Sequence, residues 1–125
     1  MKRVVGIGGV FFKAKDPVGL RAWYQRHLGI DVQDWGGAAF PWNRPEGVTI
    51  WSISQDTSDC FAPSQAGFMV NYVVEDLGAV LEALRSEGCA VDEKVDESEF
   101  GKFGWVMDPE GNRIELWEPP QAPLA

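Results

Sequence analysis

Histidine and cysteine, the side chains that most often hold transition metals or form cross-links, are almost absent from this sequence. Its 125 residues include one histidine, His27, and two cysteines, Cys60 and Cys89. Two cysteines are too few for a disulfide framework, and these two lack the close spacing of a metal pair. We therefore expect two buried or idle thiols. His27, near the end of a predicted helix, is expected to interact with the terminal carbonyl groups.

Long apolar runs and an excess of positive charge are also missing. No stretch approaches the roughly 20 apolar residues of a membrane span, and residues 1–6 lack the apolar core of a signal peptide. Nineteen acidic and eleven basic residues give a net charge of −8, which repels a phosphate backbone. We expect a cytoplasmic protein with no membrane or nucleic-acid partner. The acidity would favour a cationic ligand, but it serves solubility equally well.

The sequence does contain an ordinary globular composition and an internal repeat. With 45% apolar and 24% charged residues, a chain of this length fits one domain. Placing Asp16 on Asp76, sixty residues later, aligns two alternating runs, 10–16 and 70–76. Helical periodicity follows each aspartate, and each aspartate can cap its helix. The two segments are therefore predicted to be the same strand and helix unit.

A second match lies downstream, at an offset of sixty-four residues. Pro45-Glu46-Gly47 aligns with Pro109-Glu110-Gly111, and each triplet is typical of a tight turn between two strands. The sequence thus predicts two modules, at about 4–54 and 67–118, joined by a polar connector at 55–66. Strands are expected near 4–15, 30–35, 38–42, 48–54, 67–74, 90–96, 103–108 and 112–117, with helices near 17–28 and 76–86.

Three motifs carry a family resemblance over nearly the whole chain. They are residues 6–16, the ending of the first helix from Trp23 to Gly29, and above all the Asp-Pro-Glu-Gly-Asn run that opens residues 108–119. Together they resemble the vicinal-oxygen-chelate superfamily of glyoxalases, bleomycin-resistance proteins and dioxygenases. The resemblance implies an α+β fold in which two tandem βαβββ modules form a curved mixed sheet, a half-open barrel around a ligand cavity. It also implies a homodimer.

Metal-dependent members of the family take one ligand from the first strand and one from the last strand of each module. The resemblance maps these positions onto Gly9, Trp51, Met69 and Glu115. Only Glu115 offers a donor suited to zinc, nickel or iron, and Gly9 would leave room where a ligand histidine would stand. We therefore expect no metal and no other cofactor.

The family position of Glu115 implies that its side chain faces the cavity. Strand alternation then predicts which other residues share that face: Gly9, Phe11, Lys13, Thr49, Trp51, Ile53, Met69, Asn71, Val73, Arg113 and Trp117. The candidate substrate-binding residues among them are Phe11, Lys13, Trp51, Met69, Asn71 and Arg113. The opposite face is expected to pack under the helices: Val10, Phe12, Ala14, Ile50, Val70, Tyr72, Val74, Ile114 and Leu116.

Several roles stay open for these residues. An inward Glu115 needs a partner, which could be Lys13, Arg113, Asn71, a ligand or water. It either forms a structural ion pair with Lys13 or Arg113, or acts as a general base on a substrate whose oxygen Asn71 binds. Phe11 and Trp51 suit a planar or cationic ligand, but core or dimer packing explains them as well. Residues 97–104 form either a lid or an ordinary hairpin.

Three functions fit this pattern. The first is a metal-free protein that binds a small organic molecule, such as an aromatic or cationic compound, in an aromatic-lined cavity. The second is a glyoxalase-like lyase or isomerase that uses Glu115 as a base or a lone metal anchor. The third is a dimerisation or regulatory domain without a ligand.

Overall fold

The structure is a computed structural model that describes residues 3–28, 30–41, 48–108 and 111–121, with backbone alone for Trp23, His27 and Leu28. The predicted role of the His27 side chain lies outside this part of the chain. So do Gly29, the turn at 45–47 and the first two residues of the turn at 109–111.

The described residues form one seven-stranded mixed sheet and two helices. The elements, in chain order, are β1 (Val4–Ala14), α1 (Pro17–Leu28), β2 (Gly37–Pro41), β3 (Val48–Gln55), β4 (Phe68–Val74), α2 (Leu77–Ser86), β5 (Ala90–Ser98), β6 (Gly101–Met107) and β7 (Arg113–Glu118). The strand order is β2-β3-β1-β4-β7-β6-β5, with β3 parallel to β1 and β7 parallel to β4. Strands β1 and β4 pair antiparallel at the centre and join the two halves within one chain. The predicted α+β fold with an unclosed mixed sheet is confirmed.

The strand predicted at 30–35 is wrong. This segment forms a turn in which the Gln33 amide donates to the Gly37 carbonyl and the Gly36 amide donates back to Gln33. Gly36 has a positive φ of 96°, which a side-chain-bearing residue rarely adopts. The Arg21 side chain of α1 also donates to the Gly36 carbonyl. These bonds take up the backbone groups that a strand would need, so β2 begins only at Gly37.

The two helices begin at the aspartates that the repeat aligns. The Asp16 carboxylate accepts from the Gly19 amide at 3.0 Å, and the Asp76 carboxylate accepts from the Ala79 amide at 3.1 Å. Each side chain thereby satisfies one of the amide groups that a helix start leaves unpaired. Gly88 follows α2 with φ +81°, the left-handed conformation expected at a helix end.

The core under α2 lies on one face of the sheet. Val74, Leu77, Val80, Leu81, Val106 and Leu116 are buried together there. Neither described helix is long and apolar enough to cross a membrane. The opposite face of the sheet, which carries no helix, is called here the concave face and contains Glu115.

Candidate functional site

A buried polar pair lies at the middle of the concave face. Asn71 of β4 and Glu115 of β7 are register partners in the parallel pair, so their side chains point the same way. The Asn71 amide nitrogen donates to Oε1 of Glu115 at 2.7 Å. Asn71 is 1% exposed and Glu115 is 9% exposed. The strand register therefore places both side chains on the concave face, as predicted.

Trp105 of β6 completes the environment of this carboxylate. It is the antiparallel partner of Glu115, and its indole nitrogen donates to Oε2 at 3.0 Å. Burial raises the pKa of Glu115 above its ordinary value, while the hydrogen bonds from Asn71 and Trp105 and the charge of Arg113 oppose the rise. Removal from water disfavours the charged form more than two neutral donors stabilise it. The site thus holds a carboxyl group with a raised proton affinity.

The predicted ion pair between Glu115 and Lys13 or Arg113 is not formed among the described residues. The Lys13 ammonium lies 4.9 Å above the centre of the Phe61 ring. The Arg113 guanidinium lies 4.9 Å above the Trp105 ring and donates to the carbonyl of Ala62, with Asp92 at 3.6 Å. Within the described residues, both cations therefore contact aromatic rings or other groups and form no ion pair with Glu115.

Aromatic and aliphatic side chains fill the concave face on both sides of the polar pair. On one side, buried Phe61, Met69 and Trp105 pack with Phe11 and Phe103. On the other side, Val48, Val73 and Trp117 pack with Val5, Ile50 and Phe103. The predicted placement of Phe11, Met69 and Asn71 on the face of Glu115 agrees with these contacts. Most of the lining is apolar, with a few convergent polar groups, as in many small-molecule sites.

Trp51 does not belong to this face, and the prediction that placed it there is wrong. Trp51 packs edge-on against Phe12 and against Tyr24 of α1, with ring centres 5.9 and 5.1 Å apart. Because Gly9 pairs with Ile50 and Val10 with Trp51, the face of Thr49, Trp51 and Ile53 is the helix face. Ile50, predicted to lie under a helix, is on the concave face instead.

The error is one residue of register. In the second half, Ile114 pairs with Val70. The repeat aligns these two residues with Ile50 and Val10, so it predicts that Ile50 pairs with Val10. In the structure Ile50 pairs with Gly9 instead. Since side chains alternate along a strand, a shift of one residue moves every side chain to the other face.

The close fit of the polar pair depends on Gly8. A Cβ atom added to Gly8 would overlap Oδ1 of Asn71 and lie 3.2 Å from the Trp117 ring. The sheet has a register irregularity between Ile7 and Gly9, which brings Gly8 over the polar pair. Oδ1 of Asn71 is buried there without a hydrogen-bond partner in the described structure.

The four family metal positions do not fit a metal ion. A Cβ atom on Gly9 would overlap the carbonyl oxygen of Ile50, so the expected room for a histidine there does not exist. Met69 packs in an apolar cluster, Trp51 lies on the other face, and both Glu115 oxygens already accept hydrogen bonds. Within the described residues, no three His, Cys, Asp or Glu side chains group closely enough to hold a metal. No step of the chemistry is therefore assigned to a metal.

A groove of about 250 Å³ borders Trp105 and Arg113, two neighbours of Glu115. Its lining includes Trp105 and Arg113 from the concave face, Asp92 and Val91 from β5, and Pro63 from the connector.

Sequence reasoning missed Trp105, Phe103 and Phe61. Counting outward from the turn at 109–111 would have paired Met107 with Arg113, Trp105 with Glu115 and Phe103 with Trp117, as the structure does. Phe61 gave no such signal, because its place depends on how the connector folds back. Residues 97–104 form an ordinary hairpin between β5 and β6, with Ser98 paired to Gly101.

The family model described as "Glyoxalase-like domain" matches residues 9–117. The chain belongs to the glyoxalase-like domain family. The predicted membership of the glyoxalase, bleomycin-resistance and dioxygenase superfamily is thereby confirmed. A search of curated protein sequences finds no match to this chain.

Solved structures with the same fold are distant in sequence. A Mycobacterium tuberculosis methylmalonyl-CoA epimerase is 21% identical, with a TM-score of 0.65 over 96% of this chain and 91% of that one. A Streptomyces coelicolor methylmalonyl-CoA epimerase in complex with 2-nitronate-propionyl-CoA is 13% identical, with a TM-score of 0.72 over 98% and 99%. A superfamily member from Vibrio splendidus 12B01 is 11% identical, with a TM-score of 0.58 over 87% and 95%. At these identities the likeness establishes the fold alone.

Proposed function

We propose that this glyoxalase-like protein binds a small organic molecule on the concave face, without the divalent metal of other family members. The observation that carries the proposal is the buried Glu115 carboxyl, held by Asn71 and Trp105 inside an aromatic and aliphatic lining. Burying a carboxyl group away from water is costly, and the hydrogen bonds from Asn71 and Trp105 offset that cost only in part, since the pKa of Glu115 is still raised. Phe11, Lys13, Met69, Asn71 and Arg113 are the proposed binding residues, and the groove beside Trp105 is the proposed entrance.

A ligand screen tests this proposal. Thermal shift measurements with small organic acids, amides and amines should identify compounds that raise the melting temperature, because a ligand of the folded state stabilises it. Each compound is then titrated against Trp105→Phe and Glu115→Gln by calorimetry. We expect affinity to fall in both variants and to persist in Trp51→Phe, whose ring lies on the other face. Equal affinity for all three variants would place binding elsewhere.

A second candidate function is isomerisation or lyase chemistry with Glu115 as the catalytic base. The raised pKa of the buried Glu115 carboxyl favours it, because a carboxylate of higher proton affinity removes a proton from carbon more readily. Asn71 would then bind the substrate oxygen. Incubating candidate ketones and acyl thioesters with the protein in D₂O tests the idea. Deuterium uptake next to the carbonyl should occur with the natural sequence and disappear in Glu115→Gln.

A homodimer in the cytoplasm completes the proposal, with residues 1–125 acting as a single domain of two modules. Val4, Ile7 and Val10 of β1 and Phe68 of β4 are exposed apolar residues at the centre of the sheet, on the helix face. We call these four residues the apolar stripe. Exposed apolar patches of this kind are typical of protein contacts, and a second copy of the chain is the proposed occupant. If no ligand binds, a dimerisation domain becomes the better description.

A further inference from the structure

The connector between the two halves folds back over the concave face. In the structure it comprises residues 56–67, one residue later than predicted, because β3 ends at Gln55 and β4 begins at Phe68. Phe61 at its middle is 1% exposed among Met69, Trp105, Phe11 and Phe103. The Phe61 ring therefore covers the aromatic cluster next to Glu115. Without this ring, the same space would be open to a ligand.

The two ends of the connector are attached to β1 through its backbone. The Asp56 amide donates to the Ala14 carbonyl at 2.9 Å, and the Lys13 amide donates to the Gly67 carbonyl at 2.8 Å. Between these ends the connector closes on itself through turns, such as Ala62 to Asp59 and Ser64 to Phe61. The backbone bonds that tie the connector to β1 thus lie at its two ends, and the turns named here involve the connector alone.

Two cations of the concave face hold the middle of the connector. The Lys13 ammonium lies over the Phe61 ring, and the Arg113 guanidinium donates to the Ala62 carbonyl. Both contacts are with neutral groups. Neither contact is an ion pair, so a ligand carboxylate would add an attraction between opposite charges that the Phe61 ring and the Ala62 carbonyl do not supply.

The same contacts indicate the charge of the ligand. The aromatic faces that would bind a cation already carry the protein's own cations: Lys13 over Phe61, and Arg113 and Lys94 over Trp105. Nε of Arg113 is buried without a partner in the described structure. Asp92, 3.6 Å from the Arg113 guanidinium, is the neighbouring carboxylate that an anion would have to displace.

From this geometry we propose that the connector is a lid, closed by Phe61, and that a small organic anion opens it by drawing Lys13 and Arg113 away. The proposal rests on the binding function proposed above and names its ligand class. It replaces the cationic ligand that the net charge of −8 suggests, because local charges at the site outweigh the average charge of the surface.

Three probes of similar shape and different charge test the lid: phenylacetate, phenylacetamide and 2-phenylethylamine. Amide hydrogen exchange is followed in the full chain for residues 57–66, with α2 as the internal reference, because exchange reports local opening. Phenylacetate should speed exchange in the connector and leave α2 unchanged, and the other two probes should do neither. This measurement needs no variant, so it holds even if a substitution impairs folding.

Calorimetry on variants supplies the second arm. Phe61→Ala removes the closing ring and should bind phenylacetate about tenfold more tightly, since a binding-competent state that is already populated carries no closure penalty. Phe40→Ala, which removes an exposed ring from β2, is the matched control and should bind as the natural sequence does. Lys13→Met should bind phenylacetate more weakly than the natural sequence.

The outcomes separate the lid from the binding function. If phenylacetate binds the natural sequence and Phe61→Ala equally, with unchanged connector exchange, the lid is wrong and the binding function stands. If 2-phenylethylamine opens the connector, the ligand class is wrong. If none of the probes and no compound of the wider screen binds either protein, the proposed function fails, and the lid fails with it.

Discussion

Asn71 and Glu115 face each other across the parallel strands β4 and β7, joined by a hydrogen bond of 2.7 Å from the Asn71 amide nitrogen to Oε1. Each residue is nearly inaccessible to water, so neither can exchange this partner for solvent. The pair therefore fixes the direction of the carboxyl group before any ligand arrives. Such orientation in advance is what binding and catalytic sites require of their polar groups.

The pH dependence of stability should report the Glu115 carboxyl. Because burial raises its pKa in the folded chain, its contribution to stability is fully present below the ordinary value of 4.5. That contribution is lost as the pH rises through the folded-state value. Urea unfolding of the natural sequence and of Glu115→Gln, measured over a pH series, should show the natural sequence losing stability relative to the variant over this window. A difference that stays constant with pH would contradict the raised pKa.

Gly8→Ala should destabilise the protein by about 1–3 kcal/mol, the usual cost of overpacking a tight site. The added methyl group would overlap Oδ1 of Asn71 and push this side chain from Glu115. Gly67→Ala is the matched control, because nothing lies within 4 Å of a Cβ atom at that glycine. Urea unfolding of the two variants measures the difference. Equal stability of both variants would show that the Asn71 side chain has room to move.

Trp51→Leu should lower stability by about 1–3 kcal/mol without changing ligand affinity, since part of a packed aromatic side chain is lost on the helix face. The contacts removed are those with Phe12 and Tyr24. Trp105→Leu should lower both stability and affinity, because this indole donates to Glu115. Thermal unfolding and calorimetry on the same samples separate the two effects. Loss of affinity in Trp51→Leu would return Trp51 to the binding site.

Replacing Ile7 and Val10 together by threonine should shift the protein from dimer to monomer in sedimentation velocity. Threonine keeps the branched shape that strands favour and removes apolar area from the apolar stripe. Val18→Thr, at an exposed position of α1, is the control and should leave the dimer intact. A natural sequence that sediments as a monomer at all concentrations would refute this interface.

The repeat at Asp16 and Asp76 was sufficient to predict both helices, their caps and most strand positions. These features depend on local sequence: capping groups, turn residues and the period of apolar residues. The strand predicted at 30–35 failed because alternation alone cannot show that a turn and an arginine from α1 take up its backbone groups.

The faces of β1, β4 and β7 were predicted correctly, and the face of β3 was mistaken. Asn71, Met69 and Glu115 were placed on one face because their strands align without a shift in the second half. Trp51 was misplaced because a register shift of one residue leaves no trace in residue types. The burial of Phe61 could not be predicted for a different reason. It depends on long-range contacts of the connector, whose sequence has no periodic pattern.

Because β1 lies at the centre of the sheet, it must wait for both neighbouring strands while the chain is synthesised on the ribosome. This strand precedes both of its neighbours, β3 and β4, in the chain, so they emerge later. Contacts so distant in sequence form slowly, since long loops must close before the ladder gains from them. Until β4 leaves the exit tunnel, the edge of β1 that pairs with β4 stays open. The nascent chain is thus most exposed to aggregation, and to the help of chaperones, while its second half is still being translated.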